Sequence, residues 1–176
     1  MYSFQDIAYL NFGRYEIPDH VAVLKQLFAR FPYMDGERLG LIGSSWGGYM
    51  TVRGMLLRPG FYKVGIAEYP MVDLYNHWAQ AIEPYMGLPD QHPASYEYAS
   101  SIRLADKLQG KLMLVHGTSD VNAPFSSTIQ MVEALTRAGK PYDLVIFPEQ
   151  PHHLTGASRR YFLETVQRYL TENLNP

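Results

Sequence analysis

Apolar residues along this chain follow two patterns that take turns. Short runs, apolar at nearly every position, occupy 39–42 (Leu-Gly-Leu-Ile), 64–67 (Val-Gly-Ile-Ala), 111–115 (Lys-Leu-Met-Leu-Val) and 144–147 (Leu-Val-Ile-Phe). Runs this short and unbroken predict strands covered on both faces. Between them the period changes. Over 16–31, Ile17, Val21, Leu24 and Phe28 recur at helical spacing, and Pro18 falls in the first turn, where its lack of an N–H does no harm. Residues 46–58 predict a second helix stopped by Pro59-Gly60, 125–138 a third ended by Gly139, and 158–172 a closing amphipathic helix. The alternation predicts an α/β fold, a parallel sheet of four strands with crossover helices on both faces.

One stretch breaks the rhythm. Residues 69–110 carry Tyr69, Tyr75, Trp78, Tyr85, Tyr96 and Tyr98 among several prolines, which is more chain than a crossover requires. It could be a decorated connection that packs on itself. Yet it leaves from the C-terminal end of a strand, where open α/β sheets bind ligands, and so reads as a wall over an active site.

Composition narrows the class. The 176 residues suit a single domain, 1–176, and 47% hydrophobic with 18% charged residues exclude a disordered chain. A net charge of −2 without runs of Lys or Arg argues against nucleic-acid or membrane partners. With no cysteine there is no disulfide and no thiol chemistry. No apolar run approaches the roughly 18 residues of a membrane span, and no signal-peptide pattern opens the chain, so a cytoplasmic location is expected. Nothing calls for a cofactor; a metal at Glu149, His152 and His153 is disfavoured because adjacent histidines rarely face one ion.

The chemistry gathers around Gly43-Ser44-Ser45-Trp46-Gly47, set between an expected strand and an expected helix. Strand, G-x-S-x-G, helix is the setting of a nucleophile elbow, whose turn is so sharp that side chains at the flanking positions are expected to collide. Only Ser45 has glycine at both −2 and +2. A serine hydroxyl needs a base, and the base needs a group to hold its tautomer. In this fold class those partners follow in the order acid, then histidine, each just past a strand. Asp120 lies just past the third strand, whereas Asp106 and Asp143 precede theirs, and Glu149 shares the histidine's own loop. His152 and His153 both follow the fourth strand, while His20, His92 and His116 read as structural.

These residues resemble the C-terminal α/β-hydrolase domain of the prolyl oligopeptidase and dipeptidyl-peptidase group of serine peptidases. The resemblance runs from about Phe4 to Leu170 and rests on ERLGLIGSSWGGYMT, EPYMGLP, LMLVHGTSDVNAPF and the loop PEQPHHL. It implies Ser45 as nucleophile, Asp120 as orienting acid and His152 as base, with His153 in a place usually held by a small residue. It further implies the Trp46 N–H as an oxyanion donor and Asn122 as a hydrogen-bonding partner of a substrate carbonyl. The reaction implied is hydrolysis of a peptide, or of a small acyl substrate such as an ester, through an acyl-enzyme. An inactive domain serving only as an interaction module is the alternative.

Departures from the family carry information too. Two tyrosines that box a substrate proline in proline-specific members correspond here to His77 and Ala81, so post-proline cleavage does not follow. Trp46 and Trp78 are expected to wall an apolar pocket of a different shape. The strands that precede the nucleophile strand in the family have no counterpart, nor does the tyrosine that supplies the second oxyanion donor, although Tyr2, Tyr9 and Tyr15 lie in that part of the chain. A partial α/β-hydrolase fold is therefore expected, with its first strand at an exposed edge. Either a missing N-terminal segment or a second copy in a homo-oligomer would cover it.

Overall fold

A computed structural model describes residues 4–175. The described chain forms strands β1 (Gly40–Ser44), β2 (Val64–Glu68), β3 (Lys111–Gly117) and β4 (Asp143–Phe147). All neighbours are parallel in the order β1-β2-β3-β4, in register Leu41↔Gly65, Ile66↔Met113 and Val115↔Val145. Helices α1 (Glu16–Arg30), α2 (Trp46–Leu57), α5 (Phe125–Arg137) and α6 (Gly156–Leu174) match the four helical segments of the sequence. Two more, α3 (Ala79–Met86) and α4 (Pro93–Ala99), lie in the irregular stretch after β2. That stretch was expected as a connection packed on itself or as a wall, without helix bounds; α3 shows why its helices are hard to read, since Pro84 stands inside it.

The sheet is covered on both faces because successive side chains of a strand point opposite ways. Leu112 and Leu114 of β3 join Val52, Met55 and Leu56 of α2 and Met131 and Leu135 of α5. Met113 and Val115 join Phe162 of α6, with Val166, Tyr169 and Leu170 packed alongside. β1 is different. It pairs with β2 alone among the described residues, and Ile42 is 49% exposed.

A third apolar cluster sits above the C-terminal edge of the sheet, joining Tyr49, Tyr69, Met71, Leu74, Ile82, Met86, Tyr96 and Ala99, with Phe12, Trp46 and Met50 against it. The aromatic stretch therefore packs on itself and on the start of α2, as the reading of a self-packed connection expects. Tyr49 anchors the cluster, its hydroxyl donating to the Ala99 carbonyl at 3.0 Å, and burial raises its pKa.

Candidate active site

Ser45 alone separates the end of β1 from the start of α2. Its backbone sits at φ 57°, ψ −116°, a strained conformation for a residue with a side chain. Two hydrogen bonds hold it there: Ser45 N–H donates to the Glu68 carbonyl at 3.0 Å, and Tyr49 N–H to the Ser45 carbonyl at 2.9 Å. A Cβ on Gly43 would run into the Gly47 carbonyl, as a sharp elbow demands. Gly47 differs from expectation, because a Cβ there would meet nothing within 4 Å. The second tight position is instead Gly48, where a Cβ would stand 2.7 Å from the Glu68 carbonyl oxygen.

Ser45 occupies the N-cap position of α2, yet its side chain caps nothing. Among the described residues its hydroxyl has no hydrogen bond, to helix or to imidazole. The hydroxyl stands free at the positive end of a helix. The N–H of Trp46, in the first turn, lacks an intrahelical acceptor and points its dipole the same way.

β3 delivers Asp120 to the same edge, with its carboxylate 0% exposed. Oδ1 accepts from the backbone N–H groups of Asn122 at 2.8 Å and Ala123 at 2.9 Å. Oδ2 lies 2.8 Å from His152 Nδ1. A carboxylate only accepts, so Nδ1 carries the proton, and the neutral form of the ring has its lone pair on Nε2. His116 sits beneath. Its Nε2 must donate to the Ala123 carbonyl at 2.9 Å, and its Nδ1 then accepts from Thr128 Oγ1 at 2.7 Å. Burial lowers its pKa, so the 3.3 Å approach to Asp120 joins a neutral ring to a carboxylate rather than an ion pair.

The acid and histidine loops are pinned together by backbone. Thr118 and Ser119 N–H donate to the Phe147 and Gln150 carbonyls, both at 3.0 Å, and Glu149 N–H reaches Thr118 Oγ1 at 2.9 Å. A Cβ on Gly117 would strike the Gln150 carbonyl, so glycine there lets the loops approach.

The remaining carboxylates and histidines that the sequence offered make no hydrogen bond to Asp120 or His152. Asp106 pairs with Lys107, Asp143 accepts from the Tyr169 hydroxyl at 2.7 Å at the opposite end of β4, and Glu149 is exposed. His20 bonds the Tyr62 hydroxyl at 2.9 Å. His153 Nδ1 meets the Tyr69 hydroxyl at 3.2 Å.

Of the expected pocket residues, His77 comes under the influence of this centre. Its Nε2 is sealed from solvent without a hydrogen-bond partner, and burial drives its pKa down to about 4 against the pull of Asp120. Asn122 flanks the acid through its backbone. Trp78 and Ala81 are exposed at the start of α3. Trp46 packs edge-on to Phe12 at 5.0 Å and lines a cavity of about 740 Å³ with Tyr9, Met50 and Tyr85. Trp78 is not on that wall. Tyr15 is exposed, and Tyr2 lies outside the described residues.

Sequence reasoning missed Glu68 and Arg159, and placed Tyr69 only in the aromatic stretch, not against His152. The Glu68 carboxylate, buried at the end of β2, accepts from Ser44 Oγ at 2.6 Å and meets Arg159 Nη1 of α6 at 3.3 Å. The Tyr69 ring lies 4.2 Å from that of His152, centroid to centroid. The available signal was a Glu-Tyr pair closing an otherwise apolar run. Among the described residues, no group of three or more metal-ligating side chains could hold a metal ion, and no helix is long and apolar enough to cross a membrane.

Comparison with known proteins follows the same lines. A sequence model described as the prolyl oligopeptidase family matches residues 2–176. Human dipeptidyl peptidase 8 is 35% identical over 166 residues, 92% of this chain and 18% of its own length. The rat protein named inactive dipeptidyl peptidase 10 is 28% identical over 163 residues, 92% of this chain and 20% of its own. Among solved structures, a putative dipeptidyl aminopeptidase IV from Bacteroides ovatus superposes with a TM-score of 0.94 at 32% identity, covering 98% of this chain and 24% of that one. This chain thus spans about a fifth of the length of the curated relatives it matches.

Proposed function

This chain belongs to the prolyl oligopeptidase family, and on that premise we propose that it hydrolyses peptide bonds as a serine hydrolase. Ser45 is the nucleophile, His152 the general base and Asp120 the acid that orients it. As Ser45 Oγ attacks the substrate carbonyl carbon, its proton passes to His152 Nε2, and the Trp46 N–H donates to the oxygen that becomes negative. Collapse breaks the C–N bond, and His152 returns the proton to the leaving amine. Water, deprotonated by the same imidazole, then cleaves the acyl-enzyme and releases Ser45. Asn122 binds a substrate carbonyl, and His77, Trp78 and Ala81 contact the substrate side chain. With His77 and Ala81 in place of the family's tyrosine pair, specificity for proline is not part of this reading.

The observation that carries it is the 2.8 Å hydrogen bond from His152 to a fully buried Asp120, beside an elbow whose serine hydroxyl is unengaged. Labelling by a fluorophosphonate probe tests it, with the modified peptide identified by mass. Label on Ser45, absent from Ser45→Ala, supports the reading; an intact fold that takes no label overturns it. Label that survives His152→Ala and vanishes in His153→Ala would exchange the two histidines. Turnover of p-nitrophenyl esters without dipeptide anilides would replace the peptidase by an esterase.

One observation favours a second reading, an interaction module without activity. A relative matching over the same 92% of this chain carries a name that states its inactivity. The absence of label would support that reading.

A further inference from the structure

We propose that Tyr69 is a positioning residue for His152, and that His153 serves it by holding the tyrosine hydroxyl. The inference rests on His152 as the general base. A single hydrogen bond from Nδ1 to Asp120 fixes one point of an imidazole and leaves the ring free to swing about it. Productive proton transfer needs Nε2 in one place, so a second constraint is required.

Tyr69 supplies that constraint. Its ring lies 4.2 Å from the His152 ring at an interplanar angle of 46°. It is fixed at both ends. Tyr69 N–H donates to the Val115 carbonyl at 2.7 Å, and the hydroxyl shares a 3.2 Å hydrogen bond with His153 Nδ1. The residue is 3% exposed, and burial raises the pKa of its phenol, which stays neutral. The ring face also suits the imidazolium formed during proton transfer, since aromatic faces attract cations.

The backbone shows that the side chain matters at this position. Tyr69 sits at φ 39°, in the left-handed region where glycine is the unstrained choice. A bulky residue in that conformation, within contact of the base, is the kind of strain that collects at functional centres. The preceding residue strengthens the frame. Glu68 accepts from Ser44, the neighbour of the nucleophile, and meets Arg159 near the start of α6, the helix that follows the histidine loop. Two consecutive residues of one strand end thus tie the elbow to the base.

The test compares Tyr69→Phe, Tyr69→Leu, Tyr69→Ala and His153→Ala by the rate of fluorophosphonate labelling at Ser45 and by side-chain 1H–15N spectra of the histidines. Tyr69→Phe keeps the ring and is expected to label within about threefold of wild type; Tyr69→Ala and Tyr69→Leu lose the face and are expected to label at least ~tenfold more slowly. His153→Ala, which removes the same hydrogen bond from its other side, is expected to match Tyr69→Phe. In a peptide anilide assay the loss should appear in kcat with KM little changed. Tyr69→Leu fills much of the volume and keeps the comparison valid if Tyr69→Ala does not fold. The spectra decide independently of activity. Wild type and Tyr69→Phe should show His152 as a single Nδ1–H tautomer, whereas Tyr69→Leu should show a mixture. An unchanged tautomer and labelling rate in folded Tyr69→Leu would overturn the proposal. If wild type takes no label but Tyr69→Leu still shows the mixed tautomers, the catalytic reading is refuted and Tyr69 remains the residue that positions His152.

Discussion

Strand β3, which delivers Asp120, lies between two neighbours and beneath helices on both faces, whereas β1, which delivers Ser45, has among the described residues a neighbour on one side only. Both strands read as apolar runs of similar length. Their burial differs sharply: every β3 residue after Lys111 is buried, while β1 alternates between exposed and partly buried. The same contrast runs through the site. The acid carries two backbone donors and a histidine, and its loop is laced to the histidine loop. Among the described residues the Ser45 hydroxyl has no hydrogen-bond partner, and the Trp46 N–H beside it, in the first turn of α2, lacks an intrahelical acceptor. A site can therefore have a rigid acid–base half and an open nucleophile half, because each half inherits the packing of the strand that carries it.

The largest expected effect breaks the rigid half. Asp120→Asn preserves the shape but reverses which imidazole nitrogen carries the proton, and kcat should fall by about ten thousandfold in a peptide anilide assay. Next comes the central strand itself. Met113→Ala removes a side chain that is 1% exposed between β3 and α6, at a cost of about 2–5 kcal/mol in urea unfolding. Acid should weaken the same region. Burial lowers the pKa of both His116 and His77, that of His77 to about 4, so below the ordinary histidine value of 6.5 the unfolded chain binds more protons, for His77 down to about 4. The stability they lend is present above that window and is lost as pH falls through it. The urea midpoint should drop between about pH 7 and about pH 5, less steeply in His77→Leu. The smallest effect belongs to the open half. Ile42→Lys, on a face 49% exposed, should change stability by less than about 0.5 kcal/mol. A loss comparable to that of Met113→Ala would mean that the β1 edge is covered in solution.

Much of this was legible in order along the chain. The four apolar runs became the four strands within one or two residues at each end, because unbroken apolar character has few other uses in a short segment. Strand ends then placed Ser45 and Asp120 on one edge without further information. The choice between His152 and His153 was not legible from the residues, since adjacent positions on a loop share the same topology. Geometry separates them, with Asp120 hydrogen-bonded to His152 and the Tyr69 hydroxyl to His153. Gly47 shows the opposite error, a motif position credited with a steric need that falls on Gly48.

The sequence by itself determined the four strands, their parallel direction, four of the helices and the candidates for nucleophile, acid and base, because periodicity and motif spacing are local properties of the chain. Only the tertiary structure decided which histidine meets the acid, that His116 is a neutral buried strut, and that Glu68, Tyr69 and Arg159 frame the site. Those facts depend on contacts between residues far apart in sequence, such as the 91 positions separating Glu68 from Arg159. No local pattern encodes which distant side chains will share a few ångströms of the same sheet edge.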